Sequence, residues 1–171
     1  MHARHDAVRD IVGDELRRCP GVSVAFEVHV PEWDQDSREA WLDLRILKSG
    51  MPRPLFIDTT VYHPSGSGSR PEWHEKSKHR RYPTFMGPRR VVPFDLLPVA
   101  LSVLGGIGPE GAKGLRALLG PRVLHVFPRM SRAVVFWSVR SILDAHGLGG
   151  MNALPTRTLF APAMGRFRVA R

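Results

Sequence analysis

WLDLRI at residues 41–46, PLFIDTTV at 54–61 and EKSKHRRY at 75–82 decide how this chain folds. The first two are apolar segments of strand length, each carrying one aspartate, Asp43 and Asp58. A carboxylate inside a run such as Leu55-Phe56-Ile57-Asp58 is costly to bury unless something pairs with it. Residues 41–47 and 55–61 are predicted strands, with Lys48-Ser49-Gly50 turning the chain between them. Side chains alternate along a strand. Asp58 and Thr60 therefore share one face of the later strand, and Asp43 shares its face with Trp41 and Arg45. Residues 72–82 read as a short basic helix, separated from the strands by a Gly/Ser loop at 63–71.

Working outward, Val8, Ile11, Val12 and Leu16 fall at helical spacing, so residues 5–18 are an expected amphipathic helix. Pro20-Gly21 ends it. Val22, Val24, Phe26, Val28 and Val30 alternate with polar or small residues as a strand, which Pro31 closes. Residues 32–39 form an acidic loop. Downstream, residues 91–97 (VVPFDLL) are an expected fourth strand with Pro93 near an edge or end. Pro109 opens a helix to residue 119, residues 123–127 suggest a short strand, and 130–145 a helix with Trp137 as a core anchor. This order predicts an α/β domain over residues 1–150, with a small mixed central sheet flanked by helices and its first three strands in a meander. Residues 151–171 are a basic C-terminal tail.

The charge points to a partner. The 171 residues carry a net charge of +9, and ten of the sixteen acidic residues fall in the first 43 positions. From residue 112 to 171 there are ten Lys/Arg and a single acid, Asp144. Such a field favours a polyanion, nucleic acid ahead of membrane. Cys19 is the only cysteine, which excludes an intrachain disulfide and a multi-cysteine zinc site. No apolar run approaches a membrane span, and MHARHDAVRD has no secretory core. The expected location is intracellular and nuclear.

Mg²⁺, or Mn²⁺ in its place, is usually held by one or two carboxylates together with waters and substrate phosphate. Asp43 and Asp58 on neighbouring strands suit that role, with Glu27 on the first strand as a further metal ligand. Lys78 and Lys76 are the candidate catalytic ammonium groups, to orient the attacking water or offset charge on the phosphate. The plainer alternatives are a pairing of Asp43 with Arg45, a solvated Glu27 and a solvated basic helix face.

In order and spacing these residues resemble the restriction-like PD-(D/E)xK nucleases, and more narrowly the endonuclease domain of site-specific non-LTR retrotransposons. The resemblance rests on Arg4-His5-Asp6 with Arg9, Leu42-Asp43 in place of Pro-Asp, Ile57-Asp58, Lys78 with Arg81-Tyr82 close to KxxKY, Val91-Val92-Pro93-Phe94, and the helix around Trp137. It spans residues 3–146. It implies a restriction-endonuclease-like fold and Mg²⁺-dependent nicking of DNA at a target site, with RNA of a parent element as a further partner. His5, Arg9, Arg80, Arg81, Arg132 and Arg140 are the expected nucleic-acid contacts. Thr60 stands where (D/E)xK has its lysine, which in this branch the following helix commonly supplies. The departure leaves a catalytically inactive nucleic-acid-binding relic as the alternative.

Overall fold

The computed structural model describes residues 3–35, 38–65, 70–84 and 92–147. Helix α1 (Ala3–Arg17) leads into strand β1 (Val22–His29), which is followed by β2 (Trp41–Lys48) and β3 (Leu55–Tyr62). Helix α2 (Pro71–Arg81), strand β4 (Asp95–Ser102), α3 (Pro109–Leu119) and α4 (Val123–Ala145) complete the described elements. The four strands form one sheet in the order β1-β2-β3-β4. The first two pairings are antiparallel and β3–β4 is parallel, so the fold is α/β with an open mixed sheet. The parallel pair needs a crossover, and α2 lies within it.

Two apolar clusters hold the sheet. Val8, Val12 and Leu16 from α1 meet Leu44, Ile46, Ile57, Val99 and Leu101 from the strands, together with Leu115 from α3 and Met130 and Val134 from α4. The second cluster gathers Trp33, Leu42, Phe56, Tyr82, Phe94 and Leu96. Trp33 is its centre, with its ring within 6 Å of those of Phe56, Tyr82 and Phe94. Its indole N–H donates to the Pro83 carbonyl at 2.9 Å, which satisfies the one polar atom of a buried ring. The sequence reading placed Trp33 in an acidic loop. It sits instead in a single turn of 3₁₀ helix (Pro31–Trp33) that carries it inward.

Two elements differ from expectation in their bounds or type. The fourth strand runs later than 91–97, at Asp95–Ser102, because Pro93 has no N–H for a ladder and the continuous buried run begins at Leu96. Residues 123–127 are not a strand: they are the first turns of α4, where Val123 and Val126 supply the buried face at helical spacing. Pro128 lies inside that helix and withholds the one backbone N–H that would bond the carbonyl four residues earlier. Trp137 is half-buried against Phe136 rather than a core anchor. No helix among the described residues is long and apolar enough to cross a membrane.

Candidate metal centre

The ladder between β2 and β3 ends at the Leu44–Ile57 pair. One step further along each strand stand Asp43 and Asp58, facing each other where backbone pairing has stopped. The side chain of Asp43 takes over there. Its Oδ2 accepts from the Thr59 N–H and from the Thr59 hydroxyl, both at 2.6 Å, while its Oδ1 lies 3.1 Å from His5 Nε2. A buried carboxylate with three donors is a paired one, which is how its burial is tolerated.

Strand β1 is distorted at the same level. Glu27 has φ +48°, uncommon for any residue but glycine, and it interrupts the β1–β2 register between the Phe26–Leu44 and Val28–Leu42 pairs. Phe26 and Leu44 belong to the first core cluster, and Val28 and Leu42 to the second. The two strands thus change the side they bury at the Glu27–Asp43 level. This is why Asp43 points inward while Trp41 and Arg45, two positions to either side, are exposed.

Asp58 is the more deeply buried carboxylate at 4 % exposure. Lys78, one face of α2, reaches it with Nζ 2.7 Å from Oδ2. The Asp43 partner is thus His5 and not Arg45, and the lysine that meets Asp58 is Lys78. Lys76 projects to the exposed side of α2, because two residues along a helix turn it to the far face. Thr60 is half-buried and has no part in this contact.

The two carboxylates differ in their protonation. Burial pushes both upward. For Asp43 the hydrogen bond and charge of His5, with the two bonds from Thr59, outweigh it, and its carboxyl stays below the usual range. For Asp58 burial wins over the Lys78 ammonium, and the charge of Asp43 adds to the upward push. His5 is raised above an ordinary imidazole, chiefly through its hydrogen bond to Asp43 and against its burial. Tyr82 lies beside the pair with Lys78 Nζ 6.0 Å from its ring centre. Burial first, and then the Asp58 charge, pushes its phenol up to about 12.

His5, Asp43 and Asp58 offer one ligand atom each, and these lie within 4.8 Å of one another. Ligands on one divalent cation at ~2.0–2.6 Å are separated by at most roughly twice that distance, so the spacing and the donor set fit such an ion. Glu27 is not in this group. Its carboxylate pairs with the Arg9 guanidinium, which also meets Asp6 at 3.5 Å and Asp10 at 2.9 Å. Arg9 is therefore surrounded by acids, and His5 has turned from it toward Asp43.

The other expected nucleic-acid contacts are not among the three grouped ligands. Arg80 and Arg81 are exposed at the end of α2, with the Arg81 guanidinium 5.2 Å from the Tyr82 ring. Arg132 is exposed on α4, and Arg140 is paired with Asp144 at 3.0 Å. Thr59 was missed by the sequence reading. An uncharged threonine beside Asp58 carries no one-dimensional signal, and only the register brings Asp43 across to residue 59. No protein-family model matches the chain, and no curated protein matches it.

Proposed function

We propose that this chain is a divalent-cation-dependent DNA endonuclease with a restriction-endonuclease-like fold, related in type to the nicking domains of non-LTR retrotransposons and acting in the nucleus. The observation that carries the reading is the convergence of Asp43, Asp58 and Lys78 where the β2–β3 ladder ends. The lysine missing at Thr60 has a counterpart in Lys78, delivered by the helix that follows β3.

Asp43 and Asp58 would hold the cation, which supplies Lewis-acid polarisation of the scissile phosphate and lowers the pKa of a bound water. Asp43 enters ionised and rigidly oriented by Thr59, so its lone pairs are aimed without cost at the moment of binding. Lys78 neutralises Asp58 in the free protein. Once that charge is shared elsewhere, its ammonium is placed to hold a phosphate oxygen or an attacking water. Tyr82 shields the ammonium on one side. The basic surface, with Arg80 and Arg81 at the end of α2, favours the polyanionic substrate.

The purified chain should convert supercoiled DNA to the nicked form with Mg²⁺ or Mn²⁺, and Asp58→Ala should abolish this while retaining the far-ultraviolet spectrum. Equal nicking by both proteins would exclude the site. DNA binding without cleavage by the wild type would favour the silent relic that Thr60 suggests.

A further inference from the structure

Mg²⁺ prefers an all-oxygen shell, whereas imidazole suits first-row transition ions. The third donor at this centre is a nitrogen. His5 Nε2 stands 3.1 Å from Asp43 Oδ1, and a ring nitrogen of His5 lies within 4.8 Å of the ligand oxygens of both aspartates. The other ring nitrogen, Nδ1, faces Asp6 Oδ1 at 3.5 Å. A metal must displace the proton that Nε2 shares with Asp43, and a carboxylate behind a histidine is the arrangement that then keeps the remaining proton on the outer nitrogen and the inner lone pair on the metal. Asp6 Oδ1 is itself held, by Arg9 at 3.5 Å. The donors come from three elements, α1, β2 and β3, joined through the first core cluster, so their spacing is fixed by the fold.

We infer that the centre takes a first-row transition ion in preference to Mg²⁺, with His5 Nε2 as a third protein ligand and Asp6 as the residue that orients it. The inference rests on the nuclease reading only in sharing its carboxylates. His5 is then a ligand and not a contact to nucleic acid.

The test is calorimetric titration of the whole metal-free protein with Co²⁺ and with Mg²⁺, alongside the visible absorption of the Co²⁺ form. Wild type should bind Co²⁺ at least about tenfold more tightly than Mg²⁺. His5→Ala should weaken Co²⁺ binding by more than about tenfold and alter the Co²⁺ spectrum while changing Mg²⁺ binding little, and Asp6→Asn should weaken Co²⁺ by about tenfold. Asp58→Ala should remove the site, which separates it from adventitious binding at other histidines. His5 is a half-exposed residue near the start of α1, and an unchanged melting temperature will show that its variant is folded. Equal affinity for the two ions in wild type, or Co²⁺ binding unaffected by His5→Ala, overturns the inference. Nicking with His5-independent Co²⁺ binding would sink the ion assignment alone. His5-dependent Co²⁺ binding without nicking would sink the nuclease reading alone.

Discussion

Two aspartates of the same type, one pair-step beyond the end of a ladder, are driven in opposite directions by what surrounds them. Asp43 has three donors and stays ionised, whereas Asp58 has burial against it and one ammonium in its favour. Lys78 is accordingly the residue on which Asp58 depends. Lys78→Met leaves a buried carboxylate uncompensated and should cost about 3 kcal/mol of stability at neutral pH by denaturant unfolding, and on the proposed nuclease reading all nicking as well. A stability equal to wild type would show that the pair does not form.

Tyr82 gives a second readout at the same spot. The chain has two tyrosines, and Tyr82 is raised from 10.0 to about 12. The folded state holds that proton more tightly than the unfolded chain does. Its contribution is therefore complete below about pH 10 and is lost as pH rises toward about 12, roughly 3 kcal/mol in all. Ultraviolet titration of wild type should show a late phenolate step that Tyr82→Phe lacks. At this scale the sequence made the aspartates and Lys78 visible, because a charge in an apolar run and a lysine after it are one-dimensional signals. Thr59, and His5 as a partner of Asp43, depend on register and on how α1 crosses the sheet, which no local pattern encodes.

Among the elements, α2 positions the lysine, and one buried side chain anchors α2. Glu75 is 2 % exposed, one turn before Lys78. Its Oε1 accepts from the Gly111 N–H at 2.9 Å and its Oε2 from the Glu110 N–H at 3.3 Å. It therefore caps the start of α3 from another helix, satisfying donors that the α3 backbone leaves open. Gly108, the residue before α3, leaves the space this carboxylate occupies, and a Cβ there would meet it. His79 adds a contact to Glu110 at 2.7 Å on the same side.

Gly108→Ala should displace Glu75, loosen α2 and reduce nicking, with the loss falling on the rate more than on cation affinity. Glu75→Ala should cost about 1–2 kcal/mol, as loss of a helix cap does, with the same division. Nicking kinetics with separate cation titrations check both, and a loss confined to cation affinity would refute the anchoring role. The helix itself was legible in the sequence from its composition and spacing. The choice of Lys78 over Lys76 was not settled by composition, since both belong to one basic run. It follows from Glu75, Lys78 and Tyr82, which recur at three- and four-residue spacing along the face turned to the sheet. The first turns of α4 have the composition of a strand because Val and Phe suit both elements. Burial at helical spacing against α1 and the sheet decides for helix.

Over the whole molecule, charge is unevenly spread along the chain. The acids cluster in the first 43 residues, where several neutralise α1: Asp6, Asp10 and Glu27 around Arg9, and Glu15 paired with Arg18, Arg122 and Arg129. The surplus of positive charge lies later in the chain, and composition alone made that legible. Residues 151–171 carry four arginines and no acid, so removing them lowers the net charge from +9 to +5 (9 − 4). If the chain binds DNA through its basic surface, each phosphate neutralised contributes about −0.9 to the slope of log affinity against log salt. Deleting 151–171 should then make that slope shallower by up to about 3.6 and weaken binding at low salt, while leaving Co²⁺ affinity at the His5–Asp43–Asp58 centre unchanged. Filter binding across a salt series, with calorimetry on the same protein, measures both quantities. An unchanged slope would assign the DNA contacts wholly to residues before 151, among which Arg80 and Arg81 on the same helix as Lys78 are the first to substitute.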